Sequence, residues 1–91
     1  DMVVETGVNL YPNPVRDGQV QLMLTDLAND EQNITVDVYD LFGKRVMAHE
    51  YGNSGSTFNT LIDLNDEMAA GTYVVHITID DHTLIERLTV Q

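Results

Sequence analysis

Ninety-one residues and 10.2 kDa bound the chain to one domain, too short for two separate cores. Apolar residues make up 43% and no apolar run exceeds three, which excludes wholesale disorder, a membrane-spanning helix and a signal-peptide core. Fifteen acids against four bases give a net charge of −11, which argues against nucleic acid or an anionic membrane as a direct partner, and the lack of cysteine excludes disulfides, thiolate catalysis and cysteine zinc sites.

The elements follow in chain order from a period of two and the breakers between them. A first strand is predicted over 3–10, closed by Tyr11-Pro12-Asn13-Pro14, where two residues lack the N–H that a ladder needs. Asp17-Gly18 supplies a turn, and Val20, Leu22 and Leu24 then alternate with Gln21, Met23 and Thr25 over 19–25. Ile34, Val36 and Val38 alternate with Thr35, Asp37 and Tyr39 over 33–39, Phe42-Gly43 turns the chain, and a strand returns over 45–51. Asn53-Ser54-Gly55 marks the next turn. A strand over 57–63 follows, with Phe58, Thr60, Ile62 and Leu64 opposing Asn59, Leu61 and Asp63. The one helix-tolerant stretch, 65–70, is closed by Gly71 and long enough for a single turn. Over 72–79, Tyr73, Val75, Ile77 and Ile79 oppose Val74, His76, Thr78 and Asp80, and Asp80-Asp81-His82 is a tight hairpin link. Leu84, Leu88 and Val90 share a face of the last strand, 83–90, which Glu86 interrupts as suits an edge strand protected by charge. Seven short strands at regular spacing read as one all-β domain, a seven-stranded antiparallel Ig-like β-sandwich. Asp1 stands where an initiator methionine would, so the chain is expected to be a piece of something longer.

Little in the composition points to catalysis. The serines, Ser54 and Ser56, lie in a turn without a nucleophile-elbow pattern, and His49, His76 and His82 are scattered. Paired carboxylates arise by chance among fifteen acids, and a sandwich this small lacks the volume to desolvate one of them in a deep cleft. Asp30-Glu31 and Asp80-Asp81 could offer oxygens to calcium, but no EF-hand spacing occurs and a solvated loop explains them better. Asn33-Ile34-Thr35 fits an N-glycosylation triplet, which chance also supplies. No cofactor and no metal is expected, and Lys44-Arg45 reads as a solvated hairpin tip. These considerations stop at a small acidic, non-enzymatic β-sandwich module.

Three landmarks occur together in a recognisable order. They are Leu10-Tyr11-Pro12-Asn13-Pro14-Val15; Val36-Asp37-Val38-Tyr39-Asp40-Leu41-Phe42-Gly43-Lys44-Arg45-Val46; and Ile62-Asp63-Leu64 followed by Met68-Ala69-Ala70-Gly71-Thr72-Tyr73-Val74-Val75, leading to Glu86-Arg87-Leu88-Thr89-Val90-Gln91. In this order the chain resembles, over residues 9–91, the type A C-terminal sorting domain of the type IX (Por) secretion system. The resemblance implies a signal rather than a catalyst. Residues 1–8 would link to an upstream cargo, with a cleavage region nearby or upstream. The domain would direct its cargo from the periplasm through the outer-membrane translocon of a Gram-negative bacterium, to the cell surface or medium, and then be removed by a sortase-like protease.

On that reading the candidate recognition residues are Gly71, Tyr73, Lys44, Arg45, Arg87, Leu88 and Val90, with the terminal hairpin 71–91 read partly through exposed strand backbone. Arg87 matches a position where the family carries a base, whereas Glu86 departs from it. Tyr11, Pro12, Asn13, Pro14 and Gly43 are expected to shape turns, the prolines by stopping the first strand. Tyr73 should bury its ring between the sheets, and Gly71 should open its strand. The translocon and its processing machinery are the expected partners, without nucleic acid and without insertion into the membrane. The alternative reading is an Ig- or fibronectin-like accessory module that binds carbohydrate or a protein, for which Tyr39, Phe42 and Tyr51 would have to form an exposed aromatic platform.

Overall fold

A computed structural model describes residues 6–28, 31–64 and 68–91. Seven strands follow the alternation: β1 (Gly7–Tyr11), β2 (Gln19–Thr25), β3 (Glu31–Tyr39), β4 (Arg45–Ser54), β5 (Phe58–Asp63), β6 (Gly71–Ile79) and β7 (His82–Val90). All five strand pairings are antiparallel. One sheet has the order β1-β2-β5 and the other β4-β3-β6-β7, so the architecture is an Ig-like β-sandwich with the fourth strand beside β3.

Register places the apolar set of each strand on the inner face. Leu22 stands opposite Leu10 on one side and Thr60 on the other, while Val36 stands opposite His49 and Ile77. Val20, Leu22, Leu24 and Ile62 from the three-stranded sheet, and Ile34, Val36, Val38, Val75 and Ile77 from the other, are almost wholly buried in one core. Removing each such side chain from water is worth about 1.5–3 kcal/mol. Gln32 is also buried, and both ends of its amide are satisfied: Nε2 donates to the Ala28 carbonyl and Oε1 accepts from Asn53 Nδ2 at 3.3 Å. The register slips between Val38 and Tyr39, and Val46 is the unpaired residue of the resulting bulge.

The strands differ from the sequence reading at their ends. β1 begins at Gly7, and residues 3–5 of the expected 3–10 strand lie outside the described residues. β3 starts two residues early and β4 continues to Ser54, because Glu31 pairs with Ser54 and Gln32 with Asn53. Asn53 and Ser54 are therefore strand, and the turn itself falls on Gly55 at φ +112°. Of the expected helical turn, residues 65–67 lie outside the described residues, and Met68–Ala70 are not helical. The 80–81 link is a two-residue hairpin turn with Asp80 at φ +53° and Ile79 paired to His82.

Candidate functional site

The terminal hairpin is built by β6 and β7. Even-numbered residues of β7 share the inner face with the odd-numbered residues of β6, so Leu88 stands opposite Tyr73 and Val90 opposite Gly71. Tyr73, Leu88 and Val90 are all core residues. The Tyr73 ring lies between the sheets, and its hydroxyl donates to the Ala69 carbonyl at 2.6 Å, tying the strand to the segment that precedes it. Gly71 has φ +155°, a backbone conformation that an L side chain rarely adopts. Tyr73, Leu88 and Val90 therefore offer almost no surface of their own, whereas Gly71 is exposed. Glu86 and Arg87 are exposed.

The Pro-Asn-Pro segment does more than end β1. Asn13 Nδ2 donates to the Arg87 carbonyl at 2.9 Å, and Asn13 Oδ1 accepts the Thr89 N–H at 3.0 Å. Val15 then continues along the same edge as a short parallel partner of Val90: its N–H donates to the Thr89 carbonyl at 2.8 Å and its carbonyl accepts the Gln91 N–H at 2.9 Å. The Val15 side chain is fully buried, which anchors the segment. A residue pair of this separation leaves no periodic trace, and the sequence signal was only an apolar residue directly after two prolines. The distal half of the β7 edge is thereby covered. Alternation directs the peptide groups of Thr83 and Ile85 to the same outer edge, where nothing in the described chain pairs with them.

The third part of the site is the hairpin between β3 and β4. Asp40 organises it: its Oδ1 accepts the N–H groups of Phe42 and Lys44, both at 2.9 Å, while its own N–H donates to the Lys44 carbonyl at 2.9 Å. Gly43, at φ +86°, closes the turn by donating to the Asp40 carbonyl at 3.1 Å. Phe42 is 97% exposed. Arg45 faces Asp37 at 3.6 Å, the one ion pair among the described residues.

Pairing across the four-stranded sheet sets Arg45, Tyr39, Val74 and Arg87 in one row on its outer face. Three strand spacings separate the two arginine backbones, about 14 Å. Lys44 adjoins one end of that row, and Arg16 follows Val15 beside the end of β7. All four cations thus lie toward the end of the sandwich that holds the 40–44 turn, the 12–18 loop and the end of β7. Asp17, Asp40 and Asp63 share that end, whereas Asp26, Glu31, Asp80 and Asp81 lie toward the other.

Other chemistry is sparse. Among the described residues no three His, Asp or Glu side chains converge as a metal cage requires. His76 packs its ring on Tyr39 at 4.8 Å and His49 stacks on Tyr51 at 6.1 Å. A cleft of about 660 Å³ between the sheet ends, lined by Asp26, Gln32, Asp80, Asp81 and His82, is wide and open. The aromatics do not form a platform: Tyr51 packs on Phe58 at 5.2 Å, Phe42 stands alone at the hairpin tip, and Tyr11 lies on the other sheet.

A family model described as the secretion system C-terminal sorting domain matches residues 9–91. No curated protein matches the chain. Among solved structures, dimeric latent PorU from Porphyromonas gingivalis is similar over 93% of this chain and 9% of its own, with a TM-score of 0.75 and 19% identity. PorZ, an essential bacterial surface component of the type-IX secretion system of the same organism, is similar over 93% of this chain and 11% of its own, with a TM-score of 0.59 and 23% identity. The chain spans a small part of the length of both proteins, and at these identities the likeness is one of fold.

Proposed function

The chain belongs to the family of secretion system C-terminal sorting domains, and from that premise we propose that it directs a cargo protein, joined through a linker ahead of β1, across the outer membrane by the type IX translocon. The cargo passes through the periplasm and arrives at the cell surface or in the medium of a Gram-negative bacterium, where a sortase-like protease cuts near or upstream of the linker. The domain itself is not a catalyst. The observation that carries this reading is the family match across residues 9–91. Likeness of fold to two Por proteins supports it.

In this reading the machinery recognises the folded terminal hairpin, residues 71–91. Buried Tyr73, Leu88 and Val90 and the glycine at 71 support recognition by holding the hairpin's shape. Direct contact falls to what is exposed: Arg87, Lys44 and Arg45, and the outward peptide groups of Thr83 and Ile85, which could take an added strand.

The test is localisation. Residues 1–91 are fused behind a periplasmically exported fluorescent reporter, in a type IX-competent strain and in its translocon-deficient twin. Reporter reaching the surface or medium only in the competent strain is the expected result. Reporter held in the periplasm of both strains, with the domain folded, would reject sorting.

A further inference from the structure

The β3–β4 hairpin exposes what a folded acidic domain has no structural reason to expose. Leu41 and Phe42 are 67% and 97% exposed, and the Phe42 ring meets no other ring. Exposed apolar side chains in a mobile loop would be unremarkable. Here the backbone of the loop is fixed by the four hydrogen bonds around Asp40, so the two side chains project outward from a set turn. A backbone held in this way loses little conformational entropy on binding, and only the side-chain rotamers remain to be ordered.

Charge narrows the choice of partner. Residues 41–45 carry two of the chain's four cations and no acid, in a chain that has fifteen acids. Among the described residues Lys44 makes no ion pair, and Arg45 holds Asp37 only at 3.6 Å with its side chain 61% exposed. An anionic bilayer would repel the domain as a whole at net charge −11, and two apolar residues are a weak anchor against that repulsion. A convex tip needs a concave site, and a ring flanked by cations fits an apolar pocket with carboxylates on its rim.

We propose that the Leu41–Phe42 tip is a docking knob that enters an apolar, acid-rimmed pocket on a protein of the export route, with Lys44 and Arg45 setting its orientation. This rests on the sorting reading. It adds a contact apart from the β7 edge.

The experiment uses the reporter fusion in the type IX-competent strain, with Phe42→Ser, Phe42→Leu and Lys44→Glu variants. Each purified 1–91 variant is also melted and mixed with phosphatidylethanolamine–phosphatidylglycerol vesicles. Losing the ring that docking would bury should lower surface reporter about tenfold in Phe42→Ser. Phe42→Leu should stay near wild type, and Lys44→Glu should fall about threefold or more. Melting temperatures should be unchanged, because Phe42 and Lys44 are both exposed at the turn. Wild-type export by Phe42→Ser overturns the knob while leaving sorting intact. So does an export loss matched by a lowered melting temperature, since the ring would then be structural. Phe42-dependent sedimentation with the vesicles overturns it in favour of a membrane contact. Failure of the wild-type fusion to reach the surface defeats the sorting reading, and the knob with it.

Discussion

Asn13→Ala isolates the contact that joins the start of the domain to its end. The substitution removes the bond from Nδ2 to the Arg87 carbonyl at 2.9 Å and the bond from the Thr89 N–H to Oδ1 at 3.0 Å, and disturbs no packing, because Asn13 is exposed. Each such bond contributes about 0.5–1.5 kcal/mol net. Both freed backbone groups can return to water at the sheet edge, so the total loss is about 1–2 kcal/mol. For a domain of this size a loss of that order lowers Tm by about 5–15 °C. Asn13→Asp keeps the acceptor for Thr89 but sets a carboxylate oxygen against the Arg87 carbonyl, and should lose about as much. Thermal melting followed by circular dichroism gives the energy, and amide hydrogen exchange gives the location. Thr89 should exchange faster in Asn13→Ala and stay closer to wild type in Asn13→Asp, which keeps its acceptor, while Leu88 and Val90, whose N–H groups point to β6, keep their protection in both. Wild-type melting temperatures together with unchanged exchange at Thr89 would refute the clamp. Loss of protection along the whole of β7 would refute its local character.

Three further outcomes test the energetics of the site. Tyr73→Phe removes the 2.6 Å bond to the Ala69 carbonyl and should cost about 1 kcal/mol, read as a lower urea midpoint at unchanged slope. Gly71→Ala has open space for its methyl group but must hold φ +155°, so it should lose about 1 kcal/mol or more of stability in the same assay. Arg45→Ala breaks a 3.6 Å pair whose arginine is 61% exposed, and should change stability by less than about 1 kcal/mol, an effect that shrinks further as salt is added during the melt.

Much of the sandwich was legible residue by residue. Side chains of a strand alternate between faces whatever surrounds it, so Val20, Leu22, Leu24, Ile34, Val36 and Val38 declared their inner face from their spacing alone. Tyr73, Leu88 and Val90 followed the same rule into the core, and Arg87 followed it outward. Strand ends were less legible: Asn53 and Ser54 have the composition of a turn, yet the facing residues Gln32 and Glu31 draw them into the ladder. The candidate site was legible in its parts, since Gly43, Lys44, Arg45 and Arg87 stood out as turn or charge. Their arrangement was not.

Where the strands run and which face each presents could be read along the chain, because both depend on neighbours two to four residues away. Which strands share a sheet, and so which side chains meet, depends on pairing between distant segments. Asn13 and Arg87 are 74 positions apart, and no local pattern could reveal that an apparent strand stop is a clip on the last strand. The row that joins Arg45 to Arg87 exists because β3 and β6 lie between β4 and β7. Phe42 reads in the sequence as one more apolar residue before a glycine. It is exposed because Asp40 folds the backbone back on itself and leaves the ring with no sheet to cover it.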